Sequence, residues 1–210
     1  MTPAENQPAT RAAGERGTGN RILQAALEIF AERGFDGART REIAERAGAN
    51  LGLINYYFGS KEELWRAAVE RAFAQLSDDF ADVLEQHADA DDRTQLERLL
   101  RRFVHFAARH PEFIRLMNDE GKRDSPRMRW LADRFVKPMF QLLAERVEHA
   151  DVPGAARGVP PLSLHYIAVG AAGLLFSQAP ECLRVTGIDP TSPEVVEAHA
   201  DAVVRLVLGS

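Results

Sequence analysis

Residues 40–64, TREIAERAGANLGLINYYFGSKEEL, decide how the rest of the chain is read. The stretch divides into two short helices joined by a tight turn, followed by the start of a longer one. Ile43, Ala44 and Ala47 put a single apolar stripe on the first helix. Thr40 is a fitting N-cap, and Glu42 in the first turn suits the positive end of the helix dipole. Gly48 follows the last periodic residue and tolerates φ > 0, so it ends the helix. Asn50 caps the next helix two residues on. So short a turn, with glycine inside it, is the signature of a helix-turn-helix.

The second helix, from Leu51 to Phe58, is expected to turn Leu51, Ile54 and Phe58 inward. Gly52, Leu53, Asn55, Tyr56 and Tyr57 then face outward. Gly52 weakens a helix but lets another backbone come close. Asparagine pairs with adenine through two hydrogen bonds, and tyrosine hydroxyls reach phosphates. Ser60 and Glu63 form a capping box that starts the following helix. Lys61, at the mouth of that helix, stands where charge and free N–H groups together favour a phosphate.

The pattern T-x-x-I-A-x-x-A-G-x-x-x-G-x-I-x-x-Y-F-x-S-K-E-x-L resembles the DNA-binding signature of the TetR family of bacterial transcriptional regulators. With the preceding helix the resemblance covers Gly19 to Trp65. Asn55 stands where many members carry tyrosine, and Ala49-Asn50 where many carry valine-serine. The resemblance implies DNA contacts by Thr40, Arg41, Gly52, Leu53, Asn55, Tyr56, Tyr57 and Lys61.

A net charge of −5 looks wrong for a DNA binder until it is divided along the chain. Residues 1–66 hold nine Lys/Arg and nine Asp/Glu, a balance of zero; residues 67–210 hold seventeen and twenty-two, a balance of −5. The acidity lies outside the helix-turn-helix, and local placement of charge decides phosphate binding. One cysteine, Cys182, excludes an intrachain disulfide and agrees with a reducing compartment. The N-terminus lacks an apolar stretch, and the longest apolar run, Tyr166 to Phe176, is too short to span a bilayer. A cytoplasmic location without membrane contact is expected.

Taken in order, residues 1–17 read as a disordered arm in which Arg11 and Arg16 are the only cations. Residues 18–66 form the DNA-binding domain. Its first helix, Gly19 to Arg33, carries Ile22, Leu23, Ala26, Leu27 and Phe30 and stops at Gly34. Residues 67–210 form a second, helical domain. The helix from Lys61 continues to about Gln86, and His87 to Asp92 is a polar break. A helix from Thr94 to Arg109 ends before His110-Pro111. A short helix holds Phe113, Ile114, Leu116 and Met117, and Asn118 to Asp124 is a charged loop. Ser125-Pro126 opens a further helix, with a kink or break expected near Arg134 to Lys137 because Pro138 lies inside it. Ala150 to Pro161 is loop. Two helices remain, Leu162 to Ala179 and Pro193 to Leu208. No strand pattern or repeat appears, so the fold class is all-α.

The resemblance further implies a homodimer whose last two helices pair with those of the partner. Ile167, Gly170, Ala171, Leu174, Val196, His199 and Val203 would lie at that interface. It also implies a small-molecule pocket among the middle helices. Phe103, Phe106, Phe113, Met117, Trp130, Phe135, Met139, Phe140 and Phe176 are candidates to line a site for an apolar or aromatic effector. His105, His110, His165 and Asp119-Glu120 match no common metal-ligand spacing, and no cofactor is implied. The reading is therefore a transcriptional regulator, a repressor, with double-stranded operator DNA, an effector and a second copy as partners. Two other classes remain. An architectural DNA-binding protein would have no cavity in residues 95–180. A helical enzyme would need paired Glu-x-x-His, G-x-S-x-G, P-loop or zinc motifs, none of which occurs.

Overall fold

The structure is a computed structural model that describes residues 7–149 and 158–209, with the backbone alone for residues 7–16, 148 and 149. These residues form α1 (Gln7–Gly37), α2 (Thr40–Arg46), α3 (Leu51–Phe58), α4 (Lys61–Gln86), α5 (Asp92–Arg109), α6 (Pro111–Glu120), α7 (Pro126–Leu131), α8 (Lys137–His149), α9 (Pro161–Ser177), α10 (Ala179–Thr186) and α11 (Pro193–Leu208), with no strand among them. The fold is all-helical, as the sequence predicts. It divides into two compact units, Met1–Ala72 and Phe73–Ser210, with the division inside α4.

In the first unit α1 begins at Gln7, where the sequence reading has disorder to residue 17 and a helix from Gly19. Pro8 falls in the first turn, where its missing N–H costs nothing. The alanines, arginines and glutamate that follow are good helix formers and carry the helix through this polar run. Residues 1–6 and the side chains of Arg11 and Arg16 lie outside the described residues. Gly34 breaks the helix at φ 66, ψ 170, a conformation that side chains resist. Ile22, Ala26, Leu27 and Phe30 of the predicted stripe are buried. Phe30 stacks on Phe35 at 5.8 Å, and Phe35 meets Trp65 edge-on at 6.4 Å, which fixes the turn leading to α2.

The first residue of α2 is Thr40, so Arg39 and not Thr40 is its N-cap, without a side-chain bond. The Ile43 N–H already reaches the Arg39 carbonyl at 3.1 Å, which starts the helix one residue early. Its end follows the Schellman pattern. Gly48, at φ 59, donates to Glu45 at 3.1 Å, and Ala49 donates to Ala44 at 2.9 Å. Arg46 grips Glu32 with two nitrogens, at 2.6 and 3.0 Å, and stands 3.7 Å from Glu28, tying α2 to α1.

In the second unit α5 packs against α6, α8, α9 and α11. The Asp91 carboxylate caps α5, accepting from the Thr94 N–H at 2.7 Å. The following helix, α6, runs to Glu120, three residues into the predicted loop, because Glu120 is buried and accepts from Arg127 at 3.0 Å. Removing one partner of such a pair costs about 3–5 kcal/mol. Ser125 caps α7 with Pro126 behind it, as the sequence predicts. The break expected from Pro138 is a single wide π turn, Ala132–Val136, closed by the Lys137 N–H on the Ala132 carbonyl. That turn makes room for a ring that lacks the N–H of a regular ladder. Helix α10 is not predicted by the sequence reading. Gln178 precedes it without a side-chain cap, so Pro180 in the first turn and Gly187, left-handed at φ 73, mark its limits. No single described helix is long and apolar enough to cross a membrane.

Candidate nucleic-acid interface and effector unit

Helix α3 owes its position to one residue. Ile54 is 1% exposed and pins the helix to the unit, while Tyr56 on the opposite side is 79% exposed. Gly52 and Asn55 are exposed beside Tyr56, and Leu53 and Tyr57 are half-buried. Leu51, expected to face inward, is 40% exposed, because the Asn50 cap starts the helix with that residue on the open side. The cap is a 2.8 Å bond from the Gly52 N–H to Asn50 Oδ1. A Cβ at Gly52 would lie 3.3 Å from that same oxygen, so a side chain here would press on the cap as well as cover the backbone. The Tyr56 and Tyr57 rings meet at 5.2 Å. An outward tyrosine pair with an asparagine amide provides hydroxyls for phosphates and an edge for a base.

The Ser60 hydroxyl accepts from the Glu63 N–H at 3.1 Å, the predicted half of the capping box. The Ser60 N–H goes to the Phe58 carbonyl at 2.7 Å instead of to Glu63. Lys61 Nζ lies over the Phe35 ring at 4.7 Å and donates to the Asp36 carbonyl at 3.4 Å. The ammonium has three protons, so this anchor leaves donors for a phosphate. Thr40 is half-buried at the head of α2, and exposed Arg41 pairs with Glu45 at 3.2 Å.

The effector candidates separate into two groups. Phe106, Phe113 and Phe176 are buried core. Phe113 meets Phe106 at 5.5 Å and Phe73 at 5.0 Å, and Phe73 stacks on Phe135 at 4.3 Å. Trp130 closes on Phe135 at 5.4 Å. The rings of Phe106, Phe113, Phe135 and Trp130 form this connected set, and Phe176 packs separately on His199 at 5.4 Å. Phe103 and Met139 border an apolar cavity of about 130 Å³, together with residues of α4, α5, α8, α9 and α11. Two polar groups on its wall, Arg146 and His165, were not singled out as effector contacts. A charged residue in an amphipathic helix reads as surface, so the sequence offered no signal for Arg146. His105 faces Glu197 at 3.3 Å and His110 faces Glu112 at 3.4 Å, so the three histidines do not converge.

The residues expected at a dimer interface also divide. Ile167 and Leu174 on α9 are 52% and 57% exposed, and Gly170 between them is exposed. Ala171 and His199 are half-buried and joined, His199 Nε2 donating to the Ala171 carbonyl at 2.9 Å. Val196 and Val203 are buried within the chain, because the face of α11 that carries them packs inward with α5. The second apolar stripe of α11 is Val195, His199, Ala202 and Leu206, half-buried at the first three and 75% exposed at Leu206. On α9 the sequence reading missed exposed Leu162 and Tyr166, which continue the Ile167–Leu174 stripe at helical spacing.

Comparison with known proteins bears on both units. The family profile described as "Bacterial regulatory proteins, tetR family" matches residues 22–68, and that described as "Tetracyclin repressor-like, C-terminal domain" matches residues 93–207. The HTH-type transcriptional repressor NicS of Pseudomonas putida is 35% identical over 105 residues, 50% of this chain and 48% of NicS. The HTH-type transcriptional repressor SCO4008 of Streptomyces coelicolor is 37% identical over 101 residues, 48% of each chain. The chain thus spans about half the length of the curated relatives it matches. A TetR-like transcriptional regulator from Rhodococcus sp. RHA1 superposes with a TM-score of 0.63 at 21% identity, over 90% of this chain and 93% of that one, a likeness of fold. With the helix-turn-helix and the second helical unit each matched, the chain belongs to the TetR family of helix-turn-helix transcriptional regulators, which are not enzymes.

Proposed function

We propose that the chain is a repressor that holds a pseudo-palindromic operator as a homodimer and releases it when a small, largely apolar molecule enters the second unit. One observation carries the reading. Tyr56, Asn55 and Gly52 are offered to solvent by a helix anchored through Ile54. An exposed aromatic tip of this kind marks a contact surface. The cavity bordered by Phe103 and Met139 supports an effector over a purely architectural role, and NicS and SCO4008 are both named repressors. The exposed stripe of α9 and exposed Leu206 of α11 support pairing with a second copy. Two recognition helices then enter successive major grooves, about 34–36 Å apart. An effector that favours a different spacing opposes DNA. A coupling of about 1–3 kcal/mol weakens operator binding some 5–150-fold, and DNA weakens effector binding equally.

The test is selection of duplex DNA from a random library by the purified protein. A two-fold symmetric site is expected; enrichment of an asymmetric site, or none, would reject the reading. On the selected site, Lys61→Ala should weaken all sequences alike and lower the salt slope by about 1. Asn55→Ala should instead relax preference at one position per half-site, by about 1–3 kcal/mol. An unchanged salt slope for Lys61→Ala would remove its phosphate role.

A further inference from the structure

The cavity in the second unit has one feature that apolar packing does not explain. Its walls include Phe80, Leu99, Phe103, Met139, Leu164 and Val207, and among the described residues the polar ones that reach it are Arg146 of α8 and His165 of α9. The Nε of Arg146 is buried and has no hydrogen-bond partner among the described residues. A buried donor left unmade is costly, and more so on a charged group. Guanidinium does not escape the cost by losing its proton. Three other buried or partly buried charged side chains of this unit have partners: Glu120 with Arg127, Glu112 with His110, and Arg93 with the carbonyls of Leu208 and Gly209.

His165 is a different kind of group. Burial pushes its pKa below the usual histidine value, so the ring is neutral at neutral pH. It packs edge-on against Phe140 at 5.4 Å. The cavity therefore offers one fixed positive charge and one neutral hydrogen-bonding ring inside an apolar shell.

We propose that this cavity takes a small monocarboxylic acid, its carboxylate on Arg146 and its apolar body against Phe103 and Leu164. The inference rests on the reading of this unit as effector-binding and adds the chemical class. Charge sets the class. One guanidinium neutralises one carboxylate, whereas a dianion such as a phosphate monoester would bury a charge with no counterpart among the described residues of these walls. Volume sets the size. An apolar cavity of about 150 Å³ admits benzene, so about 130 Å³ admits a six-carbon ring or a chain of similar bulk.

The test is calorimetric titration of the full chain with benzoate and hexanoate, each against its neutral amide, benzamide and hexanamide. Saturable binding of at least one acid is expected, with its amide at least tenfold weaker. Arg146→Met should lose the acid by at least tenfold and remove the preference over the amide, and Arg146→Lys should retain the preference. Ala168→Leu, which fills the cavity and leaves the cation, should abolish binding of acid and amide alike; if Arg146→Met does not fold, this variant and Arg146→Lys decide. Failure of both acids to bind, an amide that binds as well as its acid, or acid binding unchanged in Arg146→Met or Ala168→Leu overturns the proposal. Operator binding is measured in parallel. An acid that binds through Arg146 without releasing DNA upholds the chemical class and rejects the release mechanism. A chain that binds operator but neither acid rejects the chemical class alone.

Discussion

Gly170→Trp should leave the chain folded and yet monomeric at micromolar concentration, with operator affinity lower by ~10²-fold or more, the avidity that joining two half-site contacts supplies. Within one chain there is room for the substitution: a Cβ at Gly170 meets nothing within 4 Å. The position lies on the outward stripe of α9 between Ile167 and Leu174. In a two-fold dimer the same patch meets itself, so each intruding indole is counted twice. Overpacking of this kind costs about 1–3 kcal/mol per site or more. Gly173 is the control. It is buried on the same helix, and a Cβ there would stand 3.0 Å from Ile114 Cγ2, so Gly173→Ala should lower stability and spare assembly. Sedimentation of both variants, with circular dichroism to check folding, separates the cases. A Gly170→Trp protein that sediments as a dimer would place the interface on another face.

Phe106→Ala should cost about 3–5 kcal/mol of stability, the usual penalty for emptying a fully buried aromatic site. The ring is 0% exposed and lies between His110 at 4.7 Å and Phe113 at 5.5 Å. Its neighbours belong to an aromatic chain that runs through Phe73 to Phe135, so collapse around the missing ring would disturb several contacts at once. Phe103, three residues earlier on α5, borders existing space and is only half-buried. Phe103→Ala should therefore cost much less in stability while changing what the cavity accepts. Urea denaturation followed by circular dichroism gives the comparison. Equal losses would mean that the two rings are equivalent and that the cavity does not distinguish them.

The difference between these two rings explains how much the sequence disclosed. Gly48, Asn50 and Ser60 act on backbone groups within a few residues of themselves, so the helix-turn-helix could be read from local chemistry alone. Of the set expected outward on α3, Gly52, Asn55 and Tyr56 are exposed and Leu53 and Tyr57 half-buried, while the position of the cap turned Leu51 outward. In the second unit the deciding contacts are between helices. Helix α11 is apolar on two faces, and nothing in its periodicity says which of Val196–Val203 and Val195–Leu206 packs inward. Helix α10 follows a run of small and apolar residues with no capping side chain to announce it. Phe103 and Phe106 look alike along the chain and differ only in what other helices bring to them. Arg146 has no sequence signature at all.

The π turn at Ala132–Val136 has a consequence for how this protein tolerates changes in length. A π turn holds one residue more than the α-helical ladder needs, and the helix on either side keeps its facing. Deleting Asp133, which is exposed, would draw that surplus out and leave Leu131 in the core and Met139 at the cavity. The same deletion within α5 would rotate every later side chain by about 100°, one residue's share of a 3.6-residue turn. The shortened helix would still carry Pro138 against a regular ladder, so the deletion should need Pro138→Ala beside it to be silent. Among the described helices of the second unit, this is the joint at which a descendant of the sequence could lose a residue without scrambling its core.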